Sequence, residues 1–78
     1  MPVVFRSGPY VLYFYSHEPH EPPHVHVRRD RSKAKFWLNP VLLAIARGFS
    51  DVELRKIERL VQEHRDALLE SWHEYFGT

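Results

Sequence analysis

The sequence predicts an α+β domain, a small antiparallel sheet of four to five strands packed against one long C-terminal helix. Three observations predict it. Short runs rich in β-branched and aromatic residues, broken by Gly, Pro, Asn and Asp, fill the first 46 residues. A helix-capping sequence opens at Ser50. Beyond it, apolar residues recur at helical spacing as far as Phe76. A run of strands followed by a helix buries both apolar faces against each other. The chain therefore reads as a single domain over residues 1–78, with the sheet in 1–49 and the helix in 50–76.

Each element has its own signal. Val3-Val4-Phe5-Arg6 reads as a strand and Ser7-Gly8-Pro9 as a turn. Tyr10 to Tyr15 is the returning strand. Ser16 to Pro23 is a polar loop punctuated by proline, long enough to lie over a sheet face. His24 to Arg28 is a third strand, because the two prolines before it forbid helix and the residues after them alternate. Arg29-Asp30-Arg31-Ser32 is a turn. Lys33 to Leu38 is a fourth strand, stopped by Asn39-Pro40. Val41 to Ala46 is too short to separate strand from helical turn by pattern, and its composition favours a short strand. In Ser50-Asp51-Val52-Glu53, Ser50 can accept from the Glu53 amide while the Glu53 side chain reaches back, with Phe49 and Leu54 as an apolar staple. Ile57, Leu60, Val61, Leu68, Trp72, Tyr75 and Phe76 form the apolar stripe, and Gly77 ends the helix. A continuous helix over 51–76 would run roughly 39 Å. That is long for a domain of this size, so the expectation includes a break near His64 or an overhang that packs on a second copy.

Composition bounds the function. With 44% hydrophobic residues the chain can fold, and with 78 residues its core is modest, so a partner or a homodimer through the helix is expected. The absence of cysteine excludes disulfides and thiolate metal sites, and fits a cytoplasmic location. The longest apolar run, Val41 to Ala46, is too short to span a bilayer, and no basic flank leads into an apolar run at the N-terminus. Residues 1–50 hold seven Lys/Arg against three acids, and residues 51–78 hold four against seven. The basic half points to an anionic ligand.

The segment Glu21-Pro22-Pro23-His24-Val25-His26-Val27-Arg28 carries the chemistry. On a strand, residues two apart face the same way, so His24, His26 and Arg28 share a face, the imidazoles roughly 6–7 Å apart at Cα. Alternation puts Leu12, Phe14, Val25, Val27, Ala34, Phe36 and Leu38 on the core side. The outer side then holds Tyr13, Tyr15, His24, His26, Arg28, Lys33, Lys35 and Trp37, where an antiparallel sheet ordinarily shows Thr, Ser, Lys and Glu. Cations attract phosphates and aromatics stack on bases, the composition of single-stranded RNA binders. Three readings stand. His24 and His26 act as acid and base in metal-independent phosphodiester cleavage, with Arg28 or Lys35 steadying charge on phosphorus. His24 and His26 hold zinc or another transition metal, with His20, Glu18 or Glu21 as third ligand. Or the residues are a solvated surface, with Lys33 and Lys35 guarding a sheet edge. His64 falls on the apolar stripe and reads as a hydrogen-bonded core histidine. His73 reads as exposed.

Several segments resemble a small bacterial family catalogued as domain of unknown function 4160. They are Met1-Pro2-Val3-Val4, Tyr13-Phe14-Tyr15-Ser16, Glu21-Pro22-Pro23-His24-Val25-His26-Val27, Ala34-Lys35-Phe36-Trp37-Leu38, Gly48-Phe49-Ser50 and Trp72-His73-Glu74-Tyr75-Phe76. The resemblance implies a cytoplasmic bacterial protein from a two-gene toxin–antitoxin module, encoded beside a second small protein. It also implies that Asn or Gly commonly stands where this chain has His17 and His20, which sets those two apart from a family-wide site. The resulting expectation is a toxin-like protein that binds and cleaves RNA through its sheet face. His24 and His26 would be catalytic, Arg28, Lys33 and Lys35 would hold phosphate, and Trp37 and Tyr13 would stack on bases. No cofactor is required by that reading. The alternatives are a non-enzymatic partner (antitoxin or adaptor) and a metal protein built on His20, His24 and His26.

Overall fold

Each strand pairs with its neighbour in sequence. The structure, a computed structural model, describes residues 3–78. It contains β1 (Val3–Ser7), β2 (Tyr10–Tyr13), β3 (His24–Arg29), β4 (Ser32–Leu38), β5 (Val41–Arg47), α1 (Asp51–Glu63) and α2 (Arg65–Phe76). The five strands form one antiparallel sheet in the order β1-β2-β3-β4-β5. Val41–Arg47 is thus a strand, as its composition favours. Asp30 turns β3 into β4 with φ 55°, a left-handed conformation that Asp tolerates.

The apolar alternation decides which face is core. Leu12, Phe14, Val25, Val27, Ala34, Phe36 and Leu38 pack with Ile57 and Val61 of α1 and with Leu68 and Trp72 of α2. Burying each large apolar side chain here contributes about 1.5–3 kcal/mol before entropy is counted. Phe49 and Leu54 flank the start of α1 and pack against the same core.

The single long helix expected from the stripe is two helices. His64 leaves helical geometry, with φ −107° and ψ 12°. Its ring Nδ1 donates to the Leu60 carbonyl at 2.9 Å, and its amide is shared between the Leu60 and Val61 carbonyls at 3.2 Å. A side chain that competes for the carbonyl four residues back loosens the ladder. Arg65 then donates to the Leu38 carbonyl and to Asn39 Oδ1, anchoring the start of α2 beside the β4–β5 turn. His64 also packs against Phe5, with ring centroids 4.4 Å apart. Among the described residues, no helix is long and apolar enough to cross a membrane.

Only half of the expected capping box forms. The Glu53 amide donates to Ser50 Oγ at 3.1 Å. The Glu53 carboxylate turns away from Ser50 and accepts from Arg29 Nη2 at 2.9 Å and from the Tyr10 hydroxyl at 2.9 Å. A guanidinium is the stronger partner, and it ties α1 to the sheet. Arg29 holds the Glu53 carboxyl below its ordinary value of 4.5. A depressed carboxyl contributes stability that is fully present above 4.5 and is lost as pH falls through its lowered folded value. On acidification below pH 4.5, the urea midpoint of the wild type should therefore fall faster than that of Glu53→Gln. Parallel curves would show that the pair contributes nothing.

Gly48 joins β5 to α1 with φ +87°. A Cβ there would meet Ser32 Oγ at 2.7 Å and the Ser32 backbone at 3.3 Å. Gly48→Ala should lower stability by about 2 kcal/mol from the backbone conformation alone. Ser32→Ala should not rescue it, which thermal melts of the single and double variants would check.

Candidate functional site

Glu18, His24 and His26 meet at one atom. His24 and His26 lie two apart on β3 and share a face, and Glu18 of the loop between β2 and β3 meets both of them. Glu18 Oε1 lies 2.8 Å from His24 Nε2 and 2.8 Å from His26 Nε2. His24 is completely buried, while the His26 and Glu18 side chains are 12% and 16% exposed. Burial pushes the Glu18 carboxyl up, but the two imidazoles outweigh it and hold it down at about 2. Burial pushes His26 below its ordinary value, with Glu18 opposing.

The remaining ring nitrogen of His24 completes the arrangement. His24 Nδ1 lies 2.9 Å from the Pro22 carbonyl, which can only accept, so Nδ1 carries the hydrogen. In a neutral ring, Nε2 then presents its lone pair toward the carboxylate. The β2–β3 loop is pinned by further contacts. Glu21 pairs with Lys35, and the Leu38 amide donates to the Pro23 carbonyl at 3.0 Å.

Two aromatic walls enclose the trio. Trp72 of α2 packs on His24 with centroids 4.9 Å apart and on Phe14 at 5.3 Å. Tyr13 stacks on His26 at 5.4 Å, and Tyr15 meets His26 edge-on at 4.5 Å. Beyond His26 lies an open cleft of about 260 Å³, lined by Tyr15, Glu18, His26, Lys33, Ile45 and Arg47 among others.

Register sets the charge of this face. Arg28 on β3 stands opposite Lys33 on β4, and Lys33 stands opposite Arg47 on β5. Arg6 extends the row on β1, across Val11 of β2. None of these four cations has an acidic partner among the described residues. Like charges directly opposite one another on a sheet destabilise it, so the row is held against a cost.

A family model described as a domain of unknown function (DUF4160) matches residues 10–73. The chain belongs to this family. No curated protein and no solved structure matches it.

In this DUF4160 chain the expected site residues separate into three groups. His24 and His26 do stand together on one face, with ring centroids 5.1 Å apart. The expectation that both stand on the outer side, away from the C-terminal helix, is corrected for His24, because Trp72 of α2 and Glu18 close over it. Arg28 and Lys33 fall in the cation row, and Lys35 is turned toward Glu21 with its ammonium 4.6 Å from the Trp37 ring centre. Tyr13 is 1% exposed, so it presents no open ring to a base. Trp37 is half-buried, with the Lys35 ammonium over its ring and His24 in a T-shaped contact with it. His20, the third ligand of the alternative metal site, is exposed and stands outside the trio, and of the residues offered for that position it is Glu18 that meets His24 and His26.

One lining residue of the cleft, Arg47, escaped sequence reading. Arg47 lies just past the ambiguous apolar run, so no face could be assigned to it. Tyr15, which alternation places on the outer side, lies two residues beyond the observed end of β2 and lines the cleft. Proximity to His24 in sequence was the one signal pointing to Glu18.

Proposed function

We propose that this protein binds single-stranded RNA across the outer face of its sheet. The observation that supports the reading is the row Arg28–Lys33–Arg47, three cations in cross-strand register beside a cleft walled by Tyr15 and His26. Neighbouring strands lie about 4.8 Å apart, so the row offers positive charge over roughly 10 Å, a length suited to consecutive phosphates. Unpartnered guanidinium and ammonium groups recruit phosphate by releasing its counterions, and an aromatic wall gives a base a surface to stack on. The cleft's 260 Å³ is open and small, suited to one nucleotide unit of a longer strand.

The reading stops at binding. Acid–base cleavage by two imidazoles needs both rings at the phosphate, and His24 is sealed from the cleft. RNA binding is compatible with the toxin-like role in a two-gene module that the family resemblance implies, and equally with an antitoxin or adaptor. Growth on expression with and without the neighbouring gene distinguishes these roles.

The direct test is fluorescence anisotropy with a short labelled RNA oligonucleotide. Binding in the micromolar range at low salt is expected. Affinity should weaken as salt rises, with a log–log slope of about −2 for three phosphate contacts on a single strand. No anisotropy change at protein concentrations near 100 µM, on the order of non-specific affinities, would sink the reading.

A further inference from the structure

We propose that Glu18, His24 and His26 form a binding site for one divalent first-row transition metal ion, open on its cleft side. This goes beyond the RNA reading, which uses His26 only as a wall and gives Glu18 no role.

The geometry of three electron-pair donors carries it. One ligand atom from each residue lies within 4.8 Å of the other two, and they are the only such group among the described residues. His24 Nδ1–H is committed to the Pro22 carbonyl at 2.9 Å. A metal-bound histidine ordinarily donates its other ring N–H to a backbone carbonyl or carboxylate, which fixes tautomer and ring orientation. The Nε2 lone pair of a neutral His24 would otherwise face the Glu18 oxygen at 2.8 Å with nothing between them. A 2.8 Å contact of this kind needs a proton or a cation between its two atoms, and His26 Nε2 converges on the same oxygen at 2.8 Å. A metal ion satisfies all three atoms at once.

Chemistry and access agree. Two imidazoles and a carboxylate suit Zn²⁺, Fe²⁺, Co²⁺ or Ni²⁺ better than Mg²⁺ or Ca²⁺, which prefer oxygen ligands throughout. Around a zinc ion with bonds near 2.0 Å, tetrahedral ligand atoms lie about 3.3 Å apart, so the contacts need to open by roughly half an ångström. Glu18 comes from a loop and can yield that distance. Three protein ligands leave at least one coordination position, and Glu18 and His26 both line the cleft through which water or a phosphate oxygen could reach it. Trp72, itself packed on Phe14, backs the buried ligand with apolar surface that limits solvent access from that side.

The test uses the full chain purified without a histidine tag or nickel, stripped with chelator, and titrated calorimetrically with Zn²⁺ in the absence of RNA. One ion per chain is expected, with a dissociation constant on the order of 1 µM or tighter. Co²⁺ should give intense visible ligand-field bands that Zn²⁺ displaces, a readout needing no variant. Glu18→Gln and His26→Gln, both at partly exposed side chains, should each weaken Zn²⁺ binding by at least about 100-fold with an unchanged circular dichroism spectrum. His20→Gln should change nothing. Absence of the Co²⁺ bands, or Zn²⁺ affinity untouched by Glu18→Gln and His26→Gln, would overturn the proposal. So would loss of binding in His20→Gln. Because RNA anisotropy is measured separately in chelator, either proposal can fail while the other stands.

Discussion

Replacing Arg28, Lys33 and Arg47 together with Gln is expected to reduce RNA affinity about 100-fold at 0.1 M salt. The figure follows from counterion release. Each phosphate neutralised on a single strand contributes about 0.7 to the log–log salt slope, so three lost contacts remove about 2 from it. If wild type and variant converge near 1 M salt, a slope smaller by about 2 gives the 100-fold difference at 0.1 M. All three side chains are at least partly exposed, and removing like charges that face each other across strands should leave stability equal or higher. A more stable variant with weaker, less salt-sensitive binding is the signature of a functional row. Unchanged affinity would show that these cations only solvate the sheet. Lys35→Gln serves as the contrast. Its charge is already paired with Glu21, so its effect on RNA should be smaller.

Trp72→Ala is expected to destabilise the fold by about 3–5 kcal/mol, the range for removing a buried aromatic ring. A domain of this length has roughly 4–12 kcal/mol in all, at 0.05–0.15 kcal/mol per residue, so the loss is a large part of it. Trp72 is 2% exposed and touches Phe14, Phe76 and His24, so no neighbouring side chain can collapse into its place without moving the end of α2. Urea unfolding of Trp72→Ala and Trp72→Phe would check this. The phenylalanine variant should retain most of the stability, and a shift under about 1 kcal/mol in the alanine variant would mean that the ring is not part of the core.

Much of the architecture was readable before any coordinates. Alternation at Val25/Val27 and Ala34/Phe36/Leu38 assigned the core face correctly, because a strand's period of two leaves little freedom once one side is apolar. Ser50 marked the start of α1 through a local hydrogen bond. What could not be read depended on contacts distant in sequence. The apolar stripe runs unbroken through residue 64, and it is the His64 ring, together with the pull of Leu38 and Asn39 on Arg65, that ends α1. The burial of His24 depends on a tryptophan in the last helix, and no pattern within β3 reports it. Glu18 sits in a loop without periodicity, so its direction was unknowable until it was seen to meet both imidazoles. Glu53 showed the opposite failure. The local motif was correct, but Arg29 of β3 offered its side chain a better partner than Ser50.

The meander order has a kinetic consequence. Every strand pairs with its immediate successor, so the sheet can zip up hairpin by hairpin with short loop closures, a low-contact-order topology expected to fold quickly. The imidazole trio does not share that speed. His24 loses its water only when Trp72, forty-eight residues downstream, swings in with the final helix. The sheet is therefore expected to form early, and the closing of the pocket around His24 to wait for α2.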